Sequence, residues 1–292
     1  MNDREDIAVV AEGSASDGQE KSRSAAAELR QASGFPGRLI VNADDWGRDR
    51  ETTDRTLDCV RKGTISGVSA MVFMEESERA AELAREEGID AGLHLNFTTP
   101  LTAKNCPGGL AERQQELSAY LRRTSILRVF YNPWLKRSFE YVVAAQLEEY
   151  QRRYGEPAER IDGHHHQHLG ANVQFQNLLP AGTLVRRNFS FMPGEKSFLN
   201  RWYRKTVDQR LARRHVLVDY LFSLAPMEEK RLERIFSVAR NSVVELETHP
   251  VNREEHQFLT GDKIFRLLGN LPISPNFTAT VAASRRAPCS MS

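Results

Sequence analysis

Between residues 38 and 278 the chain alternates short apolar runs with amphipathic stretches. RLIVNA (38–43), GVSAMVF (67–73), AGLHLN (91–96), RIDGHHH (160–166), LVRRN (184–188), VLVDYLFSL (216–224) and VVELETHP (243–250) are buried-strand patterns. Helical spacing fills the gaps: DRETTDRTLDCVRKG stops at Gly63, ESERAAELAREEG stops at Gly88, and helical material covers about 112–154. This alternation predicts parallel strands joined by right-handed crossovers. About seven such strands predict an α/β fold, a distorted, TIM-like parallel β/α barrel; an open doubly wound sheet is the alternative.

Outside that pattern, residues 1–37 are polar, with seven acids against four bases, and predict a disordered tail. Residues 279–292 predict a second loose end. One barrel domain over 38–278 remains. The whole chain has 292 residues with 40 basic and 39 acidic side chains, which argues against a nucleic-acid protein working through a broad basic field. No apolar run reaches the roughly 20 residues of a membrane span, and acids stand where a secretory signal needs bases. Three scattered cysteines match no disulfide framework, so a cytoplasmic location is expected. A homo-oligomer stays open.

In parallel β/α folds ligands bind at the C-terminal ends of the strands. Polar residues at the predicted strand ends are therefore the candidates. The first strand ends in Asp44 and Asp45, two adjacent carboxylates that are costly to desolvate together. A divalent cation on one relieves that cost, and the other can act as a general base. The third strand carries His94, and the fourth delivers Asp162 and the run His164-His165-His166-Gln167-His168. Extended-chain alternation predicts His164 and His166 on one face and His165 on the other. Asp45, His94 and His164 together make one carboxylate and two imidazoles, an open ligand set with room for water and substrate. Zn, Mg, Co, Ni and Mn all suit it, with two imidazoles favouring a transition metal. Trp46, Asn96, His166 and Asp219 sit near the same predicted rim and are candidates to touch substrate.

NADDWG, GLHLN, DGHHHQH and ELETHP, in this order, resemble the motifs of the YdjC-like (ChbG/HpnK) carbohydrate deacetylases. The resemblance spans about residues 38–250. It implies a distorted β/α barrel related to polysaccharide deacetylases. It also implies metal-dependent removal of the acetyl group from an N-acetylated sugar, which would be the binding partner. By the resemblance, Asp44 is the catalytic base, Asp45, His94 and His164 are the metal ligands, and His249 is a general acid or oxyanion stabiliser. Arg186 aligns with an arginine that orients Asp44. Two rival classes use related residues: a non-haem Fe(II) oxygenase, with two His and one carboxylate, and a metal-dependent phosphoesterase on a similar barrel.

The stretch 198–215 carries six Arg or Lys against one Asp, with Leu199, Tyr203, Val207 and Leu211 recurring every four residues. It predicts a barrel helix with a basic face, or a contact to an anionic glycan or membrane.

Overall fold

The computed structural model describes residues 38–191 and 197–286; the expected N-terminal tail and the last six residues lie outside the described residues. Seven parallel strands form one sheet: β1 Arg38–Trp46, β2 Gly67–Ala70, β3 Ala91–Leu95, β4 Arg160–Gly163, β5 Leu184–Val185, β6 Tyr220–Ser223 and β7 Val243–Thr248. Their order is β5-β4-β3-β2-β1-β7-β6. The sheet curls, and its edges meet through a parallel bridge between Leu184 and Val216 and hydrogen bonds between Ser190 and Leu221. The result is the distorted β/α barrel that the alternation predicts.

The helices follow the same chain logic. After β1, Asp49 caps α1 (Arg50–Arg61) by accepting from the Thr52 backbone N–H, and Gly63 ends the unit with φ +76°. α2 (Ser77–Glu86), α3 (Gly108–Leu121) and α4 (Lys136–Tyr154) precede β4; α5 (Ala171–Phe175) and α6 (Phe198–Ala212) precede β5 and β6. α7 (Glu229–Ala239) leads to β7, and α8 (Arg253–Thr260) and α9 (Lys263–Leu268) follow it. Strand β1 is buried at every position after Arg38, because helices cover one sheet face and the barrel interior the other.

Of the expected loose end 279–292, the described part, 279–286, is helical instead. α10 (Phe277–Arg286) buries Phe277 and Val281 against Ile40 and neighbouring apolar side chains. The Arg160 guanidinium lies 4.4 Å from the Phe277 ring centroid. Arg160 itself is 2% exposed and fills the barrel interior, donating to Asn42 and to the Val68 carbonyl. Gly92 makes room for it, since a Cβ there would come within 2.8 Å of the guanidinium carbon. Several predicted strands are also shorter than their apolar runs: 67–73 stops at Ala70, 184–188 at Val185, and 216–224 begins at Tyr220.

Candidate metal and catalytic site

Strand β1 changes direction where its two acids stand. Consecutive strand residues normally face opposite sides. Asp45 adopts φ +66°, and the β1–β2 register shifts between Ala43 and Trp46. This bulge turns both carboxylates toward the barrel mouth instead of one. His94 Nε2 lies 3.4 Å from Asp45 Oδ1 and 3.9 Å from Asp44 Oδ2.

His94 and Asp162 are register partners on β3 and β4. Their side chains meet at 2.7 Å, Nδ1 to Oδ1, and the Ser69 hydroxyl donates to the other Asp162 oxygen at 2.5 Å. A carboxylate on Nδ1 fixes that nitrogen as the N–H donor and leaves the Nε2 lone pair facing Asp45. Burial opposes a charge on His94, but Asp162 and Asp44 outweigh it and push its pKa up to about 10. The acids around His94 therefore call for positive charge, which a proton or a cation supplies.

The histidine run does not continue the strand as expected. It forms a 3-10 turn over His164–Leu169, with His165 and His166 both left-handed at φ +54°. The predicted alternation of faces is lost, because the backbone coils instead of extending. His164 Nδ1 comes 2.8 Å from Asp45 Oδ1, without the alignment of a hydrogen bond. His165 tilts onto the His164 ring and contacts the Thr98 hydroxyl at 3.0 Å. His168 is buried with Nε2 2.9 Å from the Arg186 carbonyl.

Asp45 Oδ1 and His94 Nε2 are both buried without a hydrogen-bond partner. Unsatisfied buried polar atoms are costly, and these two converge with His164 within 4.8 Å. Burial works against the Asp45 carboxylate, but the imidazoles of His164 and His94 outweigh it and hold its pKa well below the usual range. Its other oxygen takes Arg48 Nη1 at 2.5 Å, so one oxygen is committed to an ion pair and the other points at the imidazoles. An acidic oxygen and two ring nitrogens that need an electron-pair acceptor fit a divalent metal.

Beside this trio, Arg186 gathers four buried carboxylates. Its Nη1 and Nη2 donate to the two Asp44 oxygens at 2.6 and 2.7 Å. Nε donates to Glu245 at 2.7 Å, Nη2 reaches Asp162 at 2.8 Å, and Nη1 reaches Glu247 at 3.3 Å. Asn42 adds a third donor to Asp44, at 2.8 Å. Burial pushes Glu245 up to about 7 against the pull of Arg186, with Asp162 and Asp44 adding to the rise. Glu247 falls to about 2, since His166 at 3.3 Å and Arg186 outweigh its burial. His249 stands at the edge with Nε2 4.0 Å from both Asp44 and Glu247, and its backbone N–H donates to Glu255.

A family model described as YdjC-like protein matches residues 38–268. The chain belongs to the YdjC-like family. Chitooligosaccharide deacetylases of Yersinia pestis (strain Pestoides F) and Yersinia pseudotuberculosis (serotype O:1b, strain IP 31758) are each 31% identical over 134 residues, 45% of this chain and 50% of theirs. The chain thus spans about half the length of the curated relatives it matches. A solved structure from Enterococcus faecalis V583, provisionally named a cellobiose-phosphate cleavage protein, superposes with a TM-score of 0.61. That likeness covers 84% of this chain and 99% of the other at 14% identity, and it speaks to the fold alone.

In this YdjC-like chain, three residues expected to touch substrate do other work. Trp46 is 0% exposed, and its indole N–H donates to the Ala80 carbonyl, so its faces are spent on core packing. Asn96 is buried and shapes the turn after β3, accepting from the Thr98 and Thr99 backbone N–H groups. Asp219 lies just before β6, at the opposite end of the sheet, where it accepts from the Val243 backbone N–H. His166 stays at the site, against Glu247 and edge-on to Phe189. Of the carboxylates on Arg186, the resemblance points to Asp44, while Arg48 and Ser69 are not singled out by the sequence. The i,i+3 spacing of Asp45 and Arg48 was the one local signal available; the others come from distant strands.

Proposed function

We propose that this YdjC-like protein is a metal-dependent carbohydrate deacetylase that hydrolyses the N-acetyl group of an N-acetylated sugar. The observation that carries the reading is the pair of buried, unsatisfied ligand atoms on Asp45 and His94, converging with His164 beside a second carboxylate. The curated relatives named chitooligosaccharide deacetylase support the substrate class.

Asp45, His94 and His164 would hold the metal, which supplies Lewis acidity toward the amide carbonyl and makes a bound water more acidic. Asp44 takes the proton of the attacking water. Arg186 and Asn42 hold the Asp44 carboxylate by both oxygens, so it meets the water in one orientation. His249, with Nε2 facing Asp44 and Glu247, delivers a proton to the leaving nitrogen. Water adds to the carbonyl carbon, the C–N bond breaks, and acetate and a free amino sugar leave. Two imidazoles favour Zn, Co, Ni or Mn over Mg.

The test is acetate release from N-acetylated chitooligosaccharides and other N-acetylated sugars. The expected result is activity that a chelator abolishes and one of these metals restores. Turnover that survives complete metal removal, or no acetate from any N-acetylated sugar, would overturn it. Dependence on oxygen and a 2-oxo acid would point to the oxygenase class instead.

A further inference from the structure

Large exposed apolar side chains among the described residues are concentrated, not scattered. All but Phe265 come from 126–141, Phe175 and 198–202. Trp134 is 88% exposed, Leu199 74% and Phe198 67%. The segments are neighbours. The Tyr131 and Phe175 rings meet edge to face at 6.3 Å, and Asn132 and Asn172 exchange two hydrogen bonds. On α6, the Arg210 guanidinium lies 4.7 Å from the Phe175 ring centroid and donates to the Gln174 carbonyl. A contiguous apolar surface of this kind is costly to leave in water and marks a docking site.

Its charge says what covers it. Residues 121–137 hold five bases (Arg122, Arg123, Arg128, Lys136 and Arg137) and no acid. Residues 197–207 hold three more, Arg201, Arg204 and Lys205, again without an acid. The chain as a whole is balanced, at 40 basic to 39 acidic residues, so this separation is local. Among the described residues, Arg122, Arg123, Arg128, Arg201 and Lys205 have no acidic partner at ion-pair distance. Glu140, 3.8 Å from Lys136, is the one acid of 126–141, and aromatic and aliphatic side chains interleaved with such an excess of bases match the interface of an anionic bilayer, where rings enter the headgroup layer and bases meet lipid charge. A second copy of the chain fits poorly, since its identical bases would face these at short range.

We propose that the surface formed by 126–141, Phe175 and 197–205 docks the protein on an anionic lipid membrane. The attachment is peripheral: no helix among the described residues is long and apolar enough to cross a bilayer. It also orients the molecule. Gly170, which ends the histidine turn, sits close enough to the Arg128 carbonyl that a Cβ on it would lie 3.6 Å from that oxygen, so the docking surface adjoins the turn of the strand-end site.

Co-sedimentation of the full chain with vesicles tests this. Vesicles of phosphatidylcholine alone are compared with an equal mixture of phosphatidylcholine and phosphatidylglycerol, at low and high salt. The expected result is binding to the anionic vesicles only, weakened by salt. Arg201→Gln with Lys205→Gln should weaken it about thirty-fold, at ~1 kcal/mol per basic residue near the surface. Trp134→Ser with Trp202→Ser should weaken it further while circular dichroism stays unchanged, because both side chains are exposed. No preference for anionic vesicles, or equal binding by both variants, overturns the proposal. So does a stable dimer in sedimentation that the Trp134→Ser/Trp202→Ser variant dissociates while vesicles stay unbound, which would assign the surface to self-association.

Discussion

At Asp45 a left-handed backbone inside a parallel strand sets the chemistry of its neighbour. Without it, Asp44 and Asp45 would face opposite sides of the sheet. With it, one carboxylate meets two imidazoles and the other meets a guanidinium. Backbone strain of about 1–3 kcal/mol at such positions persists only where surrounding contacts hold it. The same applies to His165 and His166. The two acids should therefore respond differently to substitution. Asp44→Asn should keep the metal content of the wild type and lose about 10²–10⁴-fold in acetate release. His94→Ala should lose the metal as well as the activity. Metal analysis beside turnover separates the two; near-wild-type turnover in Asp44→Asn would remove its role as base. Asp162 acts through His94, so Asp162→Asn should weaken metal affinity about 10–100-fold, read by titration with a competing chelator. An unchanged affinity would leave Asp162 a purely structural partner of Arg186.

Among the elements, α10 and α6 depart most from their sequence patterns. The small, alanine-rich stretch after 278 reads as a loose end, but the helix runs on to Arg286 and buries Val281 beside Phe277, which is 1% exposed and completes the contact with Arg160. Phe277→Ala should cost about 3–5 kcal/mol of stability in denaturant unfolding, the range for an aromatic removed from a packed interior. A loss below about 1 kcal/mol would mean that α10 is only loosely attached. On α6 the four-residue stripe buries only its last member fully: Leu211 is 0% exposed, whereas Leu199 is 74% exposed, since each step of four overshoots the 3.6-residue turn and three steps carry the stripe about 120° around the helix. A periodic stripe says which side of a helix is apolar and not whether a neighbour covers it.

Across the whole molecule, buried charge is organised around the strand ends, and its titration should be visible in stability. Burial, aided by the charge of His166, lowers the pKa of His168 from 6.5 to about 3. The unfolded chain takes up this proton near pH 6.5, while the folded one refuses it until about pH 3. The stability that neutral His168 contributes is complete above pH 6.5 and is lost progressively as pH falls toward 3. In His168→Gln this component disappears, so the unfolding free energy should fall less steeply with acid than in the wild type. Equal slopes would show that His168 titrates normally in the folded chain.

The alternation of apolar runs and amphipathic stretches determined the seven parallel strands, because burial on both faces imposes a local, readable pattern on each strand; it left barrel and open sheet as alternatives, and the meeting of the sheet edges decided between them. The same local pattern placed Asp44, Asp45, His94, His164 and His249 at strand ends, where such folds hold their chemistry. It did not decide which of those residues meet. The left-handed bulge at Asp45, the coiling of the histidine turn, the inward closure of Trp46 and the gathering of four carboxylates on Arg186 depend on contacts between residues far apart in the chain. Such contacts leave no periodicity in the sequence, and only the tertiary structure brings their atoms within hydrogen-bond reach.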